Sequence, residues 1–208
     1  MIDRKAYDSI SYSIALVGSC KDGKYVGCAV NSLQQLTSSR PAKFAVTLNK
    51  YNVTTSGVEQ TGAFCATVAA ASCPTEIINM FGYKSGRVVD KFASYETKTD
   101  AAGCPYITDG MAARLSLRVL QQVDLGSHIM FIAEVTEAEV LQAGPVLTVE
   151  AFRNAGKEVA PNAPIYRTLD ENYGYRCTVC GYVYQSDELR DDYKCPICKA
   201  PASKFEKL

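Results

Sequence analysis

The stretch YRCTVCGYVYQSDELRDDYKCPICKAPASKF, residues 175–205, decides how the C-terminal end of the chain folds. It holds two Cys-x-x-Cys knuckles, Cys177/Cys180 and Cys195/Cys198, with fourteen residues between them. Four thiolates carried on two short turns form a tetrahedral sulfur cage, the geometry that iron or zinc accepts. A Cys-x-x-Cys turn also aims backbone N–H groups back at the sulfurs, which spreads their negative charge. The other five of the nine cysteines (Cys20, Cys28, Cys65, Cys73, Cys104) are scattered and make no such pair, so a disulfide framework does not suit the chain. Spacing alone leaves the metal open, because zinc ribbons use the same two knuckles.

The residues around the knuckles narrow the choice. Cys-Thr-Val-Cys-Gly-Tyr-Val-Tyr followed by Cys-Pro-Ile-Cys, with Tyr175, Tyr182, Tyr184, Tyr193 and Phe205 beside them, resembles a rubredoxin. That family wraps one iron in four cysteines and packs aromatic rings next to it. The stretch departs from a free-standing rubredoxin in three ways. Its inter-knuckle loop is shorter, Tyr193 stands where Trp is usual, and Lys199 replaces the usual Gly after the second knuckle. None of these touches a ligand. The resemblance implies iron, with zinc as the alternative that softness and geometry leave open.

Working outward, the chain has 208 residues. Roughly 170 of them precede the metal module, enough for one domain with its own core. Lys plus Arg equals Asp plus Glu, and a formally neutral chain offers no electrostatic footprint for nucleic acid or an anionic membrane. The first twenty residues lack signal-peptide character, and no apolar run reaches membrane-spanning length. Free thiols beside metal ligands point to a reducing, cytoplasmic setting and suit an anaerobe.

Residues 1–152 read as short strands joined by tight turns, with a few short helices. Strands at 13–19 and 25–30 flank Lys21-Asp22-Gly23-Lys24, a hairpin turn. Residues 44–48 and 63–68 give two more. Ser56-Gly57-Val58-Glu59 has the capping-box pattern of a short helix, and Pro74 with Glu76 suits the first turn of another running to about Phe81. Longer strands are expected at 113–123, with Leu115, Leu117 and Val119 on one face, and at 128–135, with Ile129, Phe131, Ala133 and Val135 together. Strands this numerous without alternating long helices argue for a mainly β, antiparallel barrel. Residues 153–172, with Pro161 and Pro164, read as an extended tether leading into the module at 173–208.

No GxGxxG or P-loop occurs in the barrel. Instead two polar clusters follow strands, at 31–41 and 49–55, and their hydroxyls, amides and Lys50 are able to hold a phosphate. Ser, Thr and Asn are also what ordinary loops are made of. At these residues the chain resembles the flavin reductase-like family of FMN-binding split β-barrels, which carries an Asn-Ser stretch, a Ser or Thr, a Pro, a strand and a Lys-x-x-x-Thr loop. Those positions are Asn31, Ser32, Thr37, Pro41, Lys50 and Thr54 here. Gly126-Ser127-His128 resembles the family's Gly-Asp-His strand start, with Ser127 in place of Asp, and residues 81–92 and 163–166 resemble segments of the subgroup fused to rubredoxin.

The resemblance implies roles. Asn31, Ser32, Gln35, Thr37, Lys50, Asn52 and Thr54 would hold the FMN phosphate, ribityl chain and ring edge, with Lys50 countering phosphate charge. Ser85, Gly86, Arg87 and Lys91 are further FMN or nucleotide contacts. His128, the single histidine, is placed near the flavin ring or the incoming nicotinamide; without the resemblance it reads first as a structural side chain bonding backbone across a strand end.

The fusion resembles the high-molecular-weight rubredoxins, in which NADH reduces FMN, FMN reduces the rubredoxin centre, and that centre feeds a flavodiiron protein removing oxygen or nitric oxide. It further implies a homodimer. Asp187, Glu188, Asp191 and Asp192 are placed to orient an electron partner, though such runs are more often a solvated face. Two rival readings stand beside this one: an FMN and iron relay with no NAD(P)H turnover, and a flavin reductase carrying a zinc-ribbon interaction module.

Overall fold

The computed structural model describes residues 3–157 and 173–208. Residues 3–157 build one antiparallel sheet of seven strands in the order β2-β1-β5-β8-β9-β4-β3. β1 (Ala15–Lys21) and β2 (Lys24–Val30) form the expected hairpin. Its turn holds Asp22 at φ 50° and Gly23 at φ 74°, the left-handed pair that matches strand twist in a two-residue hairpin. β3 (Gln34–Gln35) and β4 (Lys43–Asn49) follow, then helix α1 (Val53–Thr61) and β5 (Ala63–Ala69). Helix α2 (Thr75–Tyr83) leads to the small ribbon β6 (Thr97–Thr99) and β7 (Pro105–Ile107). The long hairpin β8 (Met111–Asp124) and β9 (His128–Val140) and helix α3 (Val149–Asn154) complete the domain.

The sheet curls so that alternate side chains meet inside it. Val17, Cys28, Val46, Leu48, Phe64, Leu117 and Phe131 make this interior core. A second core lies outside, where Ile77 and Phe81 of α2, Phe92, Ile107 and Phe152 pack over β1 and β5. β1 is therefore buried on both faces and reads as a continuous apolar run. Ser32, just past the edge strand β2, accepts from the Thr47 N–H at 3.1 Å and donates to the Thr47 carbonyl at 2.8 Å. A single side chain thus ties the free edge of β2 to β4, across the split where no ladder runs.

Three expectations are corrected. α1 starts at Val53, not at Ser56, and its Asn52 cap makes no side-chain bond. Asn49 sets that start: its carbonyl accepts from Thr55 Oγ1 at 2.6 Å and its side chain from the Tyr51 N–H at 2.9 Å, winding the turn before the capping-box pattern begins. β9 runs to Val140 rather than Val135: an extra residue in β9, Thr136, shifts its register against β8, and beyond it Glu137 and Glu139 pair with Arg114. The start of the expected tether is helical, as α3 extends to Asn154; residues 158–172 of that expectation lie outside the described residues.

The C-terminal module is a three-stranded sheet, β11-β10-β12, of Val183–Tyr184, Tyr175–Cys177 and Phe205–Lys207. Its buried core is four cysteines and Ala200, edged by Val179, Tyr182, Ile197 and Phe205. So small an apolar core does not hold 36 residues by itself.

Candidate functional site

The four module cysteines converge. Cys177 and Cys198 Sγ atoms lie 3.6 Å apart, Cys180 and Cys195 3.5 Å apart, and all four within 4.8 Å of one another. A tetrahedron with metal–sulfur bonds of about 2.3 Å has edges of about 3.8 Å, so the cage fits one metal ion and is too wide for disulfides. The two knuckles repeat one geometry. Gly181 N–H donates to the Cys177 carbonyl at 2.8 Å and Lys199 N–H to the Cys195 carbonyl at 2.9 Å, with φ 75° and 62° respectively. Lys199 therefore takes the left-handed turn that its Gly counterpart takes, and the second knuckle closes as tightly as the first. Cys195 is pushed down, first by the hydrogen bond from the Cys180 thiol and then by the Cys198 and Ile197 N–H groups aimed at its sulfur. Tyr193 stacks on Tyr184 at 4.2 Å and meets Phe205 edge-on at 5.4 Å, covering the cage on its sheet side.

The barrel carries a cleft of about 770 Å³, counting the part open to solvent, between the ends of β2 and β4, the start of α1 and the segment after α2. Asn52, Thr54, Ser85, Gly86 and Lys91 line it, with Lys84, Tyr51 and the buried Cys28. Among the described residues, no Asp or Glu does. Lys91 is buried, donates to the Phe81 carbonyl at 2.8 Å, and is pushed from its ordinary 10.5 down to about 8 by burial. A buried ammonium with no carboxylate beside it is a site for an anion. The first turn of α1 adds to this: Asn52, Val53 and Thr54 face the cleft, and the opening N–H groups of a helix carry partial positive charge. Asn31, just past β2, is 5% exposed, yet neither its Oδ1 nor its Nδ2 has a hydrogen-bond partner. A buried amide left unpaired costs about 1–3 kcal/mol, which a bound polar group would recover. An anionic, ring-bearing cofactor such as FMN fits this donor set.

The remaining residues anticipated from sequence, Asn31 among them, do not line the cleft. Lys50 ion-pairs with Asp124 at 2.6 Å and holds that carboxyl below its usual range. Ser32 bridges to β4, while Gln35 Nε2 donates to the Thr37 carbonyl at 2.9 Å and Thr37 Oγ1 accepts from the Lys43 N–H at 3.0 Å. His128 pairs with Asn49 across β9 and β4, and its Nδ1 shares a 2.8 Å hydrogen bond with Ser127 Oγ. Ser127 thus occupies the ring nitrogen that an Asp would otherwise orient. Arg87 donates from Nη2 to the Tyr51 carbonyl at 3.1 Å and from Nε to the Val179 carbonyl at 3.4 Å.

Sequence reasoning missed Tyr51, Cys28, and two module residues, Cys180 and Ile197, that also line the cleft. Nothing in a linear pattern signals that a knuckle 130 residues downstream comes to sit beside Tyr51.

Comparison with known proteins agrees with this arrangement. Residues 7–153 match the family described as flavin reductase like domain, and residues 175–206 the rubrerythrin, rubredoxin-like domain. A high molecular weight rubredoxin of Moorella thermoacetica is 33% identical over the whole of both chains. A ferric-chelate reductase (NAD(P)H) of Archaeoglobus fulgidus is 35% identical over 79% of this chain and 98% of its own. Among solved structures, a flavoredoxin from Methanosarcina acetivorans overlays with a TM-score of 0.58 at 22% identity, covering 62% of this chain and 69% of that one.

Proposed function

The chain belongs to the flavin reductase-like family, in the form that ends in a rubredoxin-like four-cysteine iron module, and from that premise we propose that it is an NAD(P)H-dependent oxidoreductase passing electrons singly through its iron centre to a protein acceptor. When bound, FMN supplies the exchange between two-electron hydride chemistry and one-electron transfer, and tetrathiolate iron takes one electron at a time. The observation that carries this reading is the meeting of the two sites: Thr54 and Lys91 of the barrel and Cys180 and Ile197 of the module line one cleft.

The chain's own residues divide the work. Lys91 and the N-terminus of α1 counter the cofactor's phosphate, Thr54 and Ser85 donate hydroxyls to it, and Asn31 gains a partner for its orphaned amide. Gly86 and Gly82 let the backbone approach without a side chain in the way. His128 stands at the strand end beside Asn49, its ring oriented through Nδ1 by Ser127. Cys177, Cys180, Cys195 and Cys198 would hold the iron, and the Ile197 and Cys198 N–H groups facing the Cys195 sulfur would spread its negative charge. The acidic run Asp187, Glu188, Asp191 and Asp192 suits an acceptor with a basic docking face, such as a flavodiiron protein, and the active form is a homodimer. No helix among the described residues is long and apolar enough to cross a membrane.

The test is an anaerobic stopped-flow record of the FMN- and iron-loaded protein mixed with NADH, then NADPH. The expected result is flavin bleaching followed by loss of the ferric-thiolate bands. Two chromophores unmoved by either nucleotide would leave a relay that draws electrons from another protein.

A further inference from the structure

Three contacts seat the metal module on the barrel, and each is local and specific. Arg87 spans the junction, holding the Tyr51 carbonyl on one side and the Val179 carbonyl, inside the first knuckle, on the other. Gly181 lies directly on the Tyr51 ring: a Cβ there would fall 2.6 Å from Tyr51 Cδ2 and 3.2 Å from Cε2. The glycine that the knuckle needs for its left-handed turn is thus also the residue that lets backbone rest on an aromatic face. Beyond them Cys180, a metal ligand, and Ile197, from the second knuckle, reach the wall of the cleft opposite Thr54 and Lys91. One cleft thus has in its lining both a metal-ligating residue and the residues that would hold the cofactor.

We infer that this junction is a built electron exit: each chain reduces its own iron, through Cys180, and Arg87 is the positioning residue that holds the first knuckle against the cleft. The inference rests on the function proposed above and assigns its geometry. A hydride from the nicotinamide brings two electrons, and the donor leaves as the oxidised nucleotide. The ferric centre accepts one electron to become ferrous and must hand it to the acceptor protein before it accepts the second; the proton that accompanied them is released to solvent. A module held at the cleft therefore makes two one-electron visits' worth of transfer without leaving its own subunit.

Arg87 does not line the cleft and gives both bonds to the junction carbonyls, so Arg87→Ala is expected to lower the rate of iron reduction after NADH mixing about tenfold or more relative to flavin bleaching in the same variant. Arg87→Lys restores part of it through a single bond to one carbonyl. Ile197→Ser, on the module side of the junction, is expected to slow iron reduction in the same way, with the ferric-thiolate absorption checking that the cage whose Cys195 sulfur the Ile197 N–H faces still fills. A readout independent of turnover is hydroxyl-radical labelling of Tyr51 in flavin-free, metal-loaded protein, expected to rise several-fold in both variants as the ring loses its cover. Co-expression of chains lacking iron (Cys195→Ser) with chains lacking flavin (Lys91→Glu) completes the test: in mixed dimers the iron stays ferric if transfer is within a chain. Iron reduced at the native rate in those mixed dimers, or Tyr51 labelled as fast in the native protein as in the variants, would overturn the inference. Failure of the native flavin to bleach at all would instead overturn the function on which it rests.

Discussion

Two residues show how local strain and orphaned groups mark the sites. Lys199 holds φ 62°, a conformation that disfavours any residue with a Cβ by about 1–2 kcal/mol. Lys199→Gly relieves that strain and gives back part of it as unfolded-state entropy, so the loaded module should gain roughly 0.5 kcal/mol in denaturant unfolding. Asn31 predicts a trade in the opposite sense: Asn31→Leu removes the unpaired amide, so flavin-free protein should melt higher while FMN affinity drops about tenfold. Both are read from one melting series and one titration. Lys91 adds a pH signature. Its ammonium keeps its proton to 10.5 when unfolded but releases it from about 8 when buried, so the unfolded chain binds more protons in between. Stability of the flavin-free protein should accordingly rise from pH 8 toward 10.5 relative to Lys91→Met, by on the order of 1–3 kcal/mol. Cys28, which burial pushes up, faces Lys91 and works the other way: above pH 9 the unfolded chain loses the thiol proton first, so the comparison with Lys91→Met, which keeps Cys28 in both proteins, isolates the lysine. A bound phosphate keeps the ammonium charged and flattens that slope. Of these residues only the ligand cysteines declare themselves by spacing; Asn31 and Lys91 were named through a resemblance, and their orphaned or desolvated state became visible only when the chain was folded.

At the scale of elements, α1 brings its first residues, Val53 and Thr54, to the wall of the site. Its seat depends on Gly57, where a Cβ would fall 2.6 Å from Val26 Cγ2 and 3.0 Å from the Cys20 carbonyl. Backbone does not yield as a side chain does, so Gly57→Val should destabilise the barrel by about 1–3 kcal/mol and shift the helix N-terminus away from the cleft. Thermal melts give the first effect and flavin titration the second. The strands were legible because each interior position alternates, as Leu117, Phe131 and Ala133 do. The start of α1 was not, since Asn49 winds the turn through contacts that a capping-box pattern does not contain. The tail of β9 was hidden for a related reason: Glu137 and Glu139 read as solvent residues until Arg114, over the Tyr106 ring, draws them into pairing.

The whole molecule is two folds stabilised by different means. The barrel has two apolar cores, whereas the module's interior is chiefly its ligands. Metal removal under reducing conditions should therefore erase the module's own unfolding transition and leave the barrel's in place, as calorimetry with and without a chelator would show. Which domains are present was legible in the chain; that the first knuckle shares a wall with the cleft was not, because contacts across 130 positions leave no periodic trace. That shared wall has an optical consequence. A ferric tetrathiolate absorbs broadly across the visible range, so an isoalloxazine held beside Cys180 should be dark, its emission drained into the neighbouring chromophore. Zinc, which has no such bands, should restore the glow without altering the fold. With no tryptophan anywhere in the chain to add its own signal, flavin brightness becomes a built-in gauge of whether the two halves of the molecule are touching.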